Sequence, residues 1–132
     1  MIKSEEYFKK GILFDGLEHG KMHPTDIDAM VELKGKAYYF VELKREGNDI
    51  RTGQKILFER LCDDLYKAGK EAYAILAHHD WLCEDYNGDI RLKDCVIDKV
   101  YYPESRAWVE AAQIMTVKQF DQMIFERYGN GE

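Results

Sequence analysis

The chain has 132 residues, a length that suits one domain with a single hydrophobic core. Its 45% hydrophobic and 13% aromatic content excludes a disordered chain. The net charge of −6 argues against a protein that coats nucleic acid, because phosphate binding depends on clustered Lys and Arg. A membrane span needs about 18 consecutive apolar residues. We find neither such a run nor a secretion leader, so we expect an intracellular, cytoplasmic protein that does not use a membrane.

The cysteines and histidines give little support for a zinc site. Cys62, Cys83 and Cys95 form no pairing pattern and fit a reducing compartment. His78 and His79 precede Cys83, but no second closely spaced ligand pair accompanies them. We therefore predict structural roles for these histidines.

The first predicted elements are short. Ser4 followed by two acids favours a helix that ends near Lys10, before Gly11. Residues 12–14 suggest a strand, and Asp15 and Gly16 a turn. The polar stretch 18–24 then leads to the first acidic residues of interest.

Residues 25–33 and 37–44 read as two strands of a hairpin around Gly35. Alternation puts one set of apolar side chains on a shared core face: Ile27, Ala29, Val31, Leu33, Tyr39, Val41 and Leu43. The opposite face carries Asp28, Met30, Glu32, Tyr38, Phe40, Glu42 and Lys44. Because positions 37–43 are almost all apolar, the second strand is expected to be buried on both faces.

A turn centred on Gly35 places Asp28 directly opposite Glu42, with Cβ atoms roughly 5 Å apart. Two negative charges at this distance repel each other, and a divalent cation bound by the carboxylate oxygens would compensate for this repulsion. Lys44 projects to the same side and can reach a bound water or a phosphate oxygen. We therefore predict a metal site at the open end of this hairpin.

Thr52 is the predicted N-cap of a helix that runs to about Ala68 and stops at Gly69. Its predicted apolar stripe comprises Ile56, Leu57, Leu61, Leu65 and Tyr66. Gln54 lies in the first turn, where its side chain either points back at the hairpin or is solvated.

The second half of the chain completes the predicted sheet. Residues 72–77 are typical of a buried parallel strand joined by a right-handed crossover. Asn87-Gly88 predicts a hairpin between 81–86 and 89–92, and 95–102 a final strand. Trp108 is expected in a connection, packed on the sheet. Thr116 is expected to cap a terminal helix with the core stripe Val117, Phe120, Met123, Ile124 and Tyr128.

Basic residues are concentrated between positions 34 and 55, despite the acidic total. They are Lys34, Lys36, Lys44, Arg45, Arg51 and Lys55, against the acids Glu42, Glu46 and Asp49. Such a patch is compatible with a phosphodiester substrate.

The order of elements and the spacing of Asp28, Glu42-Leu43-Lys44 and Gln54 resemble the restriction-endonuclease-like, or PD-(D/E)xK, nuclease superfamily. The sequence looks most like small phage-encoded members and is similar to Holliday-junction-resolvase-like nucleases, over about residues 12–76. The resemblance implies an α/β fold with a restriction-endonuclease-like core, in which helices flank a mixed central sheet in the order αβββαβ. The whole chain, 1–132, would form this one domain.

The resemblance also implies a metal-dependent nuclease that hydrolyses phosphodiester bonds in DNA. Asp28, Glu42 and the Leu43 backbone carbonyl would hold Mg²⁺ or Mn²⁺. Lys44 would activate water, and Gln54 would position these groups. Two coordinated cuts would need two such sites, which leaves a homodimer open.

Several alternatives stay open. In family members a Pro often precedes the Asp directly, whereas Pro24 lies further upstream, so Asp26 competes with Asp28 as the ligand; we favour Asp28. Glu6 or Glu18 could complete the site. A catalytically inactive DNA- or protein-binding relative, or an unrelated α/β interaction module, are rival interpretations of the same residues.

Overall fold

The computed structural model describes residues 13, 15–20 and 24–129. In chain order the regular elements are β1 (Ala29–Leu33), β2 (Ala37–Arg45), α1 (Thr52–Lys67), β3 (Glu71–His79), β4 (Val96–Tyr102), β5 (Ala107–Glu110) and α2 (Val117–Ile124). Short 3₁₀ helices cover Trp81–Cys83 and Leu92–Asp94, and a π-helical turn, Phe125–Gly129, extends α2. The helix predicted at 4–10 lies outside the described residues, as does the strand predicted at 12–14 except for Leu13, which belongs to no element.

The five strands form one mixed sheet in the order β1-β2-β3-β4-β5. β2 and β3 are parallel, and each of the other neighbouring pairs is antiparallel. The predicted parallel pairing of the strands on either side of α1 is therefore confirmed. Since parallel strands end at the same edge of a sheet, the carboxyl ends of β2 and β3 lie side by side.

The β1–β2 hairpin has the predicted register. Ala29 pairs with Val41, and Leu33 with Ala37. The turn places Lys34 and Gly35 at positive φ, 54° and 70°, and this geometry matches the twist of a tight hairpin. Lys36 N–H donates to the Leu33 carbonyl at 2.9 Å and closes the turn.

The sheet separates two hydrophobic layers. The layer on the α2 side contains Tyr39, Val41, Tyr73, Ile75, Ile97, Val117, Phe120 and Ile124. The layer on the α1 side contains Phe40, Phe58, Cys62, Ala72, Ala74 and Tyr101. β2 contributes to both layers and is buried on both faces, as predicted. Ile27 was expected with the first layer but packs against the second, because β1 begins only after it, at Ala29.

The predicted stripe of α1 is partly wrong. Phe58 and Cys62 are its buried residues, and Leu61 and Leu65 pack beside them. Ile56 and Tyr66 are each 40% exposed and belong to neither hydrophobic layer. Thr52 is also not the N-cap: Arg51 holds that position and makes no side-chain cap bond. On α2, Thr116 does form the cap, but Met123 of the predicted stripe is exposed.

The predicted hairpin at 81–92 does not form as two strands. Asp80 accepts a hydrogen bond from Leu82 N–H at 2.9 Å and starts a 3₁₀ helix instead. Asp85 accepts from the N–H groups of Asn87 and Asp89, at 2.9 and 3.0 Å. These local bonds leave a single bridge between residues 84 and 90.

The strand at 96–102 is not the last one, because β5 follows it. β5 pairs with β4 from Tyr102–Ala107 to Lys99–Glu110. Trp108, expected in a connection, belongs to this strand, and its Nε1–H donates to Glu59 of α1 at 2.7 Å. Within the described residues, no helix combines the length and apolar character needed to cross a membrane.

Candidate metal and catalytic site

Glu42 is the buried charged residue of the described structure, with 4% of its surface exposed. It is the sixth of the nine residues of β2 and lies on the side of the sheet that faces α1, two residues after the core residue Phe40. Its Oε1 is buried and has no hydrogen-bond partner among the described residues. An unpartnered carboxylate oxygen in such a place is expensive, so this atom points to a ligand that the protein itself does not supply.

Asp28 stands at the start of the hairpin, immediately before β1. Continuing the observed register by one residue puts it opposite Glu42. Its Oδ2 accepts a hydrogen bond from the Leu43 N–H at 2.7 Å, which ties the carboxylate to the end of β2. The structure thus brings Asp28 to the residues of the predicted metal site.

Lys44 and Gln54 complete the group. The Lys44 Nζ lies 3.2 Å from Glu42 Oε2 and donates to the Gln54 Oε1, also at 3.2 Å. Alternation along β2 puts Lys44 on the same face as Glu42, and the first turn of α1 carries Gln54 over that face. Of the two orientations considered for Gln54, the structure has the one that points back at the hairpin.

The electrostatics of Glu42 follow from these neighbours. Burial raises the pKa of the Glu42 carboxyl above its ordinary value, a hydrogen bond from Lys44 opposes this rise, and the charge of Asp28 adds to it. The net direction is upward. The site therefore holds a carboxylate whose negative charge is incompletely compensated by the protein.

The residues present fit a hard divalent cation. Asp28 and Glu42 offer carboxylate oxygens, the donors that Mg²⁺ and Mn²⁺ prefer, and the buried Glu42 Oε1 is available to bind one. Leu43, whose carbonyl is the third predicted ligand, is the residue whose N–H holds Asp28. The Lys44 ammonium group adds a positive charge beside the carboxylates.

The other candidate acids do not join this group in the described structure. Asp26 is exposed and makes no hydrogen bond or ion pair there with Glu42 or Lys44. Glu18 is also exposed, and its Oε1 accepts from the Gly16 N–H at 3.1 Å. Glu6 lies outside the described residues.

A second group of ligand-type side chains lies nearby. Glu46, His78 and Asp80 each offer one ligand atom, and these atoms lie within 4.8 Å of one another. Sequence reasoning missed this group because it is assembled from two strand ends. The parallel pairing of Lys44 with His78 would have indicated that Glu46 and Asp80 emerge together.

Scans against protein-family models and searches of curated proteins and of solved structures gave no match to this chain. The chemistry of the site therefore rests on its own geometry and donor atoms.

Proposed function

We propose that the protein is a metal-dependent nuclease that hydrolyses phosphodiester bonds in DNA and belongs to the PD-(D/E)xK superfamily. One observation carries the proposal: a buried Glu42 whose Oε1 has no hydrogen-bond partner among the described residues, beside Asp28 and in contact with Lys44. A carboxylate pair that holds a divalent cation, with a lysine beside it, is a site at which a phosphate can be bound and attacked by water.

Asp28 and Glu42 are the residues that would hold Mg²⁺ or Mn²⁺, with the Leu43 carbonyl as a third donor. When bound, the cation supplies Lewis-acid polarisation of the phosphate and stabilises its developing charge. The hydrogen bond from Leu43 N–H holds the Asp28 carboxylate beside the end of β2.

Lys44 is the residue that would act on the attacking water and on the phosphate. Its Nζ can orient the attacking water and offset negative charge that builds up on the phosphate. Gln54 accepts a hydrogen bond from the same ammonium group that contacts Glu42, so two side chains help to orient the lysine. Such pre-positioning lowers the reorganisation needed in the transition state.

The test is cleavage of labelled DNAs of four structures: linear duplex, flapped, four-way and single-stranded, each with Mg²⁺, Mn²⁺ or EDTA. We expect metal-dependent cutting that falls by about 100-fold or more in Lys44→Ala, the usual range for losing a positioned proton-transfer group. Lys67→Ala is the matched control, because Lys67 is exposed in the last turn of α1.

Thermal stability provides a second readout that does not require activity. Mg²⁺ should raise the Tm of the wild type and of Lys67→Ala but not that of Glu42→Gln. Full cutting by Lys44→Ala would end the nuclease proposal. No cutting on any DNA, together with no Mg²⁺-dependent shift in Tm, would favour a binding module instead.

A further inference from the structure

The carboxyl ends of β2 and β3 carry a second set of metal-ligating groups that shares no residue with the first. Glu46 directly follows β2, His78 lies near the end of β3, and Asp80 directly follows β3. The Glu46 N–H donates to the His79 carbonyl at 3.1 Å, which extends the pairing of the two strands past their ends. This backbone contact is what brings Glu46 beside His78 and Asp80.

His78 is held in the way that histidine ligands of metals usually are. Its Nδ1 lies 2.8 Å from Asp98 Oδ1. A bulge positions Asp98: Leu76 pairs with Lys99 and Ala77 with Ile97, so Asp98 is the extra residue of β4. A carboxylate on one imidazole nitrogen fixes the ring and leaves Nε2 as the nitrogen that can bind a metal.

We propose that Glu46, His78 and Asp80 form a binding site for a divalent transition-metal ion of the zinc class. One imidazole nitrogen and two carboxylate oxygens make a donor set that suits Zn²⁺, whereas Mg²⁺ prefers oxygen donors alone. One ligand atom from each residue lies within 4.8 Å of the others, a spread that small side-chain movements can close around an ion. Three protein ligands leave a coordination position for water.

The two sites are adjacent but chemically distinct. Lys44 is the register partner of His78 and touches Glu42, so it stands at the boundary between them. Asp28 and Glu42 offer only oxygens, while the second group includes a nitrogen. The proposal does not depend on the nuclease function, and each site has its own diagnostic variant.

The test is calorimetric titration of Zn²⁺ into the metal-free protein. We expect one Zn²⁺ per chain at this site and binding weakened at least about tenfold in His78→Gln, because that variant loses a ligand. Asp98→Asn should weaken it by about 10- to 100-fold, the usual effect of removing a carboxylate behind a histidine ligand. His79→Gln is the matched control, since His79 follows His78 on β3 and is outside the cluster.

Two results would overturn the proposal: equal Zn²⁺ affinity in His78→Gln and His79→Gln, or loss of Zn²⁺ binding in Glu42→Gln alone, which would assign the ion to the first site. Circular dichroism of the metal-free variants checks their folding. If His78→Gln does not fold, Glu46→Gln decides, because Glu46 is exposed; unchanged affinity in that variant would also overturn the site. Mg²⁺-dependent stabilisation should be the same in His78→Gln and the wild type, which separates the two sites.

Discussion

Glu42 combines three conditions that rarely occur together on a carboxylate: burial, a nearby second carboxylate, and an oxygen that no described residue hydrogen-bonds. Lys44 contacts the other carboxylate oxygen, Oε2, at 3.2 Å, and its charge and hydrogen bond do not cancel the effect of burial on the pKa of Glu42. In the metal-free protein this arrangement lowers stability, because the charged form is poorly solvated. A cation that binds the free oxygen would recover that free energy.

Replacing Glu42 with Gln should therefore stabilise the metal-free protein at neutral pH. The folded-state pKa of Glu42 is raised above its ordinary value of 4.5, so the folded state holds the proton where the unfolded state releases it. Wild-type stability falls as pH rises from 4.5 through the folded pKa and then levels off. Gln does not titrate, so its advantage should be small at pH 4 and grow to about 1 kcal/mol above the folded pKa.

Urea unfolding in EDTA at a series of pH values measures this difference. Glu18→Gln is the control, because Glu18 is exposed and no contact joins it to Glu42 in the described structure. A Glu42→Gln protein that is less stable than the wild type at pH 8 without metal would contradict the prediction.

The residues of the first site were predictable because they depend on local rules. Strand alternation puts Glu42 and Lys44 on one face, the turn at Gly35 sets the register of Asp28, and the first turn of the next helix brings Gln54 back. The spacing to Glu42 favours Asp28 over Asp26, and the hydrogen bond from Leu43 N–H to Asp28 is a contact that the sequence did not indicate. Glu46, His78 and Asp80 were not connected from the sequence, because they come together only when the parallel register of β2 and β3 is known and is continued past the strand ends.

The helix α2 has a complete side-chain cap at its N-terminus, whereas α1 has no side-chain cap bond. The Thr116 hydroxyl accepts from the Gln119 N–H at 3.2 Å, and the Gln119 side chain accepts from the Thr116 N–H at 2.9 Å. Arg51, the N-cap of α1, makes no such bond. A threonine precedes the apolar periodic segment of each helix. Spacing alone therefore could not show that Thr116 is an N-cap whereas Thr52 is the first residue of its helix.

Thr116→Ala should cost about 1 kcal/mol of stability, the typical loss for an N-cap threonine. Thr52→Ala should change stability by less than about 0.5 kcal/mol, because this hydroxyl makes no capping bond. Urea midpoints of the two variants, with unchanged m-values, give the comparison. Equal losses would mean that α2 does not depend on its cap.

The side chains of α1 that pack on the sheet differ from those of the predicted apolar stripe. Phe58, 1% exposed, has its ring centroid 6.4 Å from that of Phe40, and Cys62 lies one turn further along. Positions 58, 61, 62 and 65 form the sheet-facing row, since residues three and four apart share a helix face. The predicted stripe included Ile56 and Leu57 in place of Phe58, so it lay to one side of the row that packs on the sheet.

Phe58→Ala should therefore cost about 3–5 kcal/mol, the range for removing a buried aromatic side chain. Ile56→Ala should cost less than about 1 kcal/mol, because Ile56 is 40% exposed and leaves no cavity. Thermal or urea unfolding of both proteins measures the difference. A similar loss in both variants would show that the predicted stripe, rather than Phe58, anchors α1.

The sheet separates the described residues into a side that bears the candidate Asp28–Glu42 site and a side covered by α2. Glu42, Lys44 and Gln54 lie on the α1 side. α2 covers the opposite side with Phe120 and Ile124. Strand and helix periodicity predicted the β1–β2 hairpin and the parallel pairing across α1, whereas the mixed sheet flanked by helices was implied by the resemblance. The edge strand β5 was not predictable, because four residues after a turn carry too little pattern to separate a strand from a connection.

The net charge of −6 has a consequence for the proposed substrate. DNA approaching Glu42 and Asp28 in the metal-free protein meets two carboxylates on an acidic molecule, so phosphate binding is opposed. A divalent cation at those carboxylates reverses the local sign. We therefore expect DNA binding itself, and not only cleavage, to require the cation.

Fluorescence anisotropy of a labelled DNA at fixed ionic strength, with Ca²⁺ or EDTA, tests this requirement, since Ca²⁺ also takes oxygen ligands. Wild-type affinity should rise at least about tenfold with Ca²⁺, which corresponds to about 1.4 kcal/mol. Glu42→Gln should lose most of that gain. Glu126→Gln makes the same charge change at an exposed position just after α2 and should keep the gain. Equal affinity of the wild type in EDTA and Ca²⁺ would show that the Asp28–Glu42 site does not govern phosphate binding.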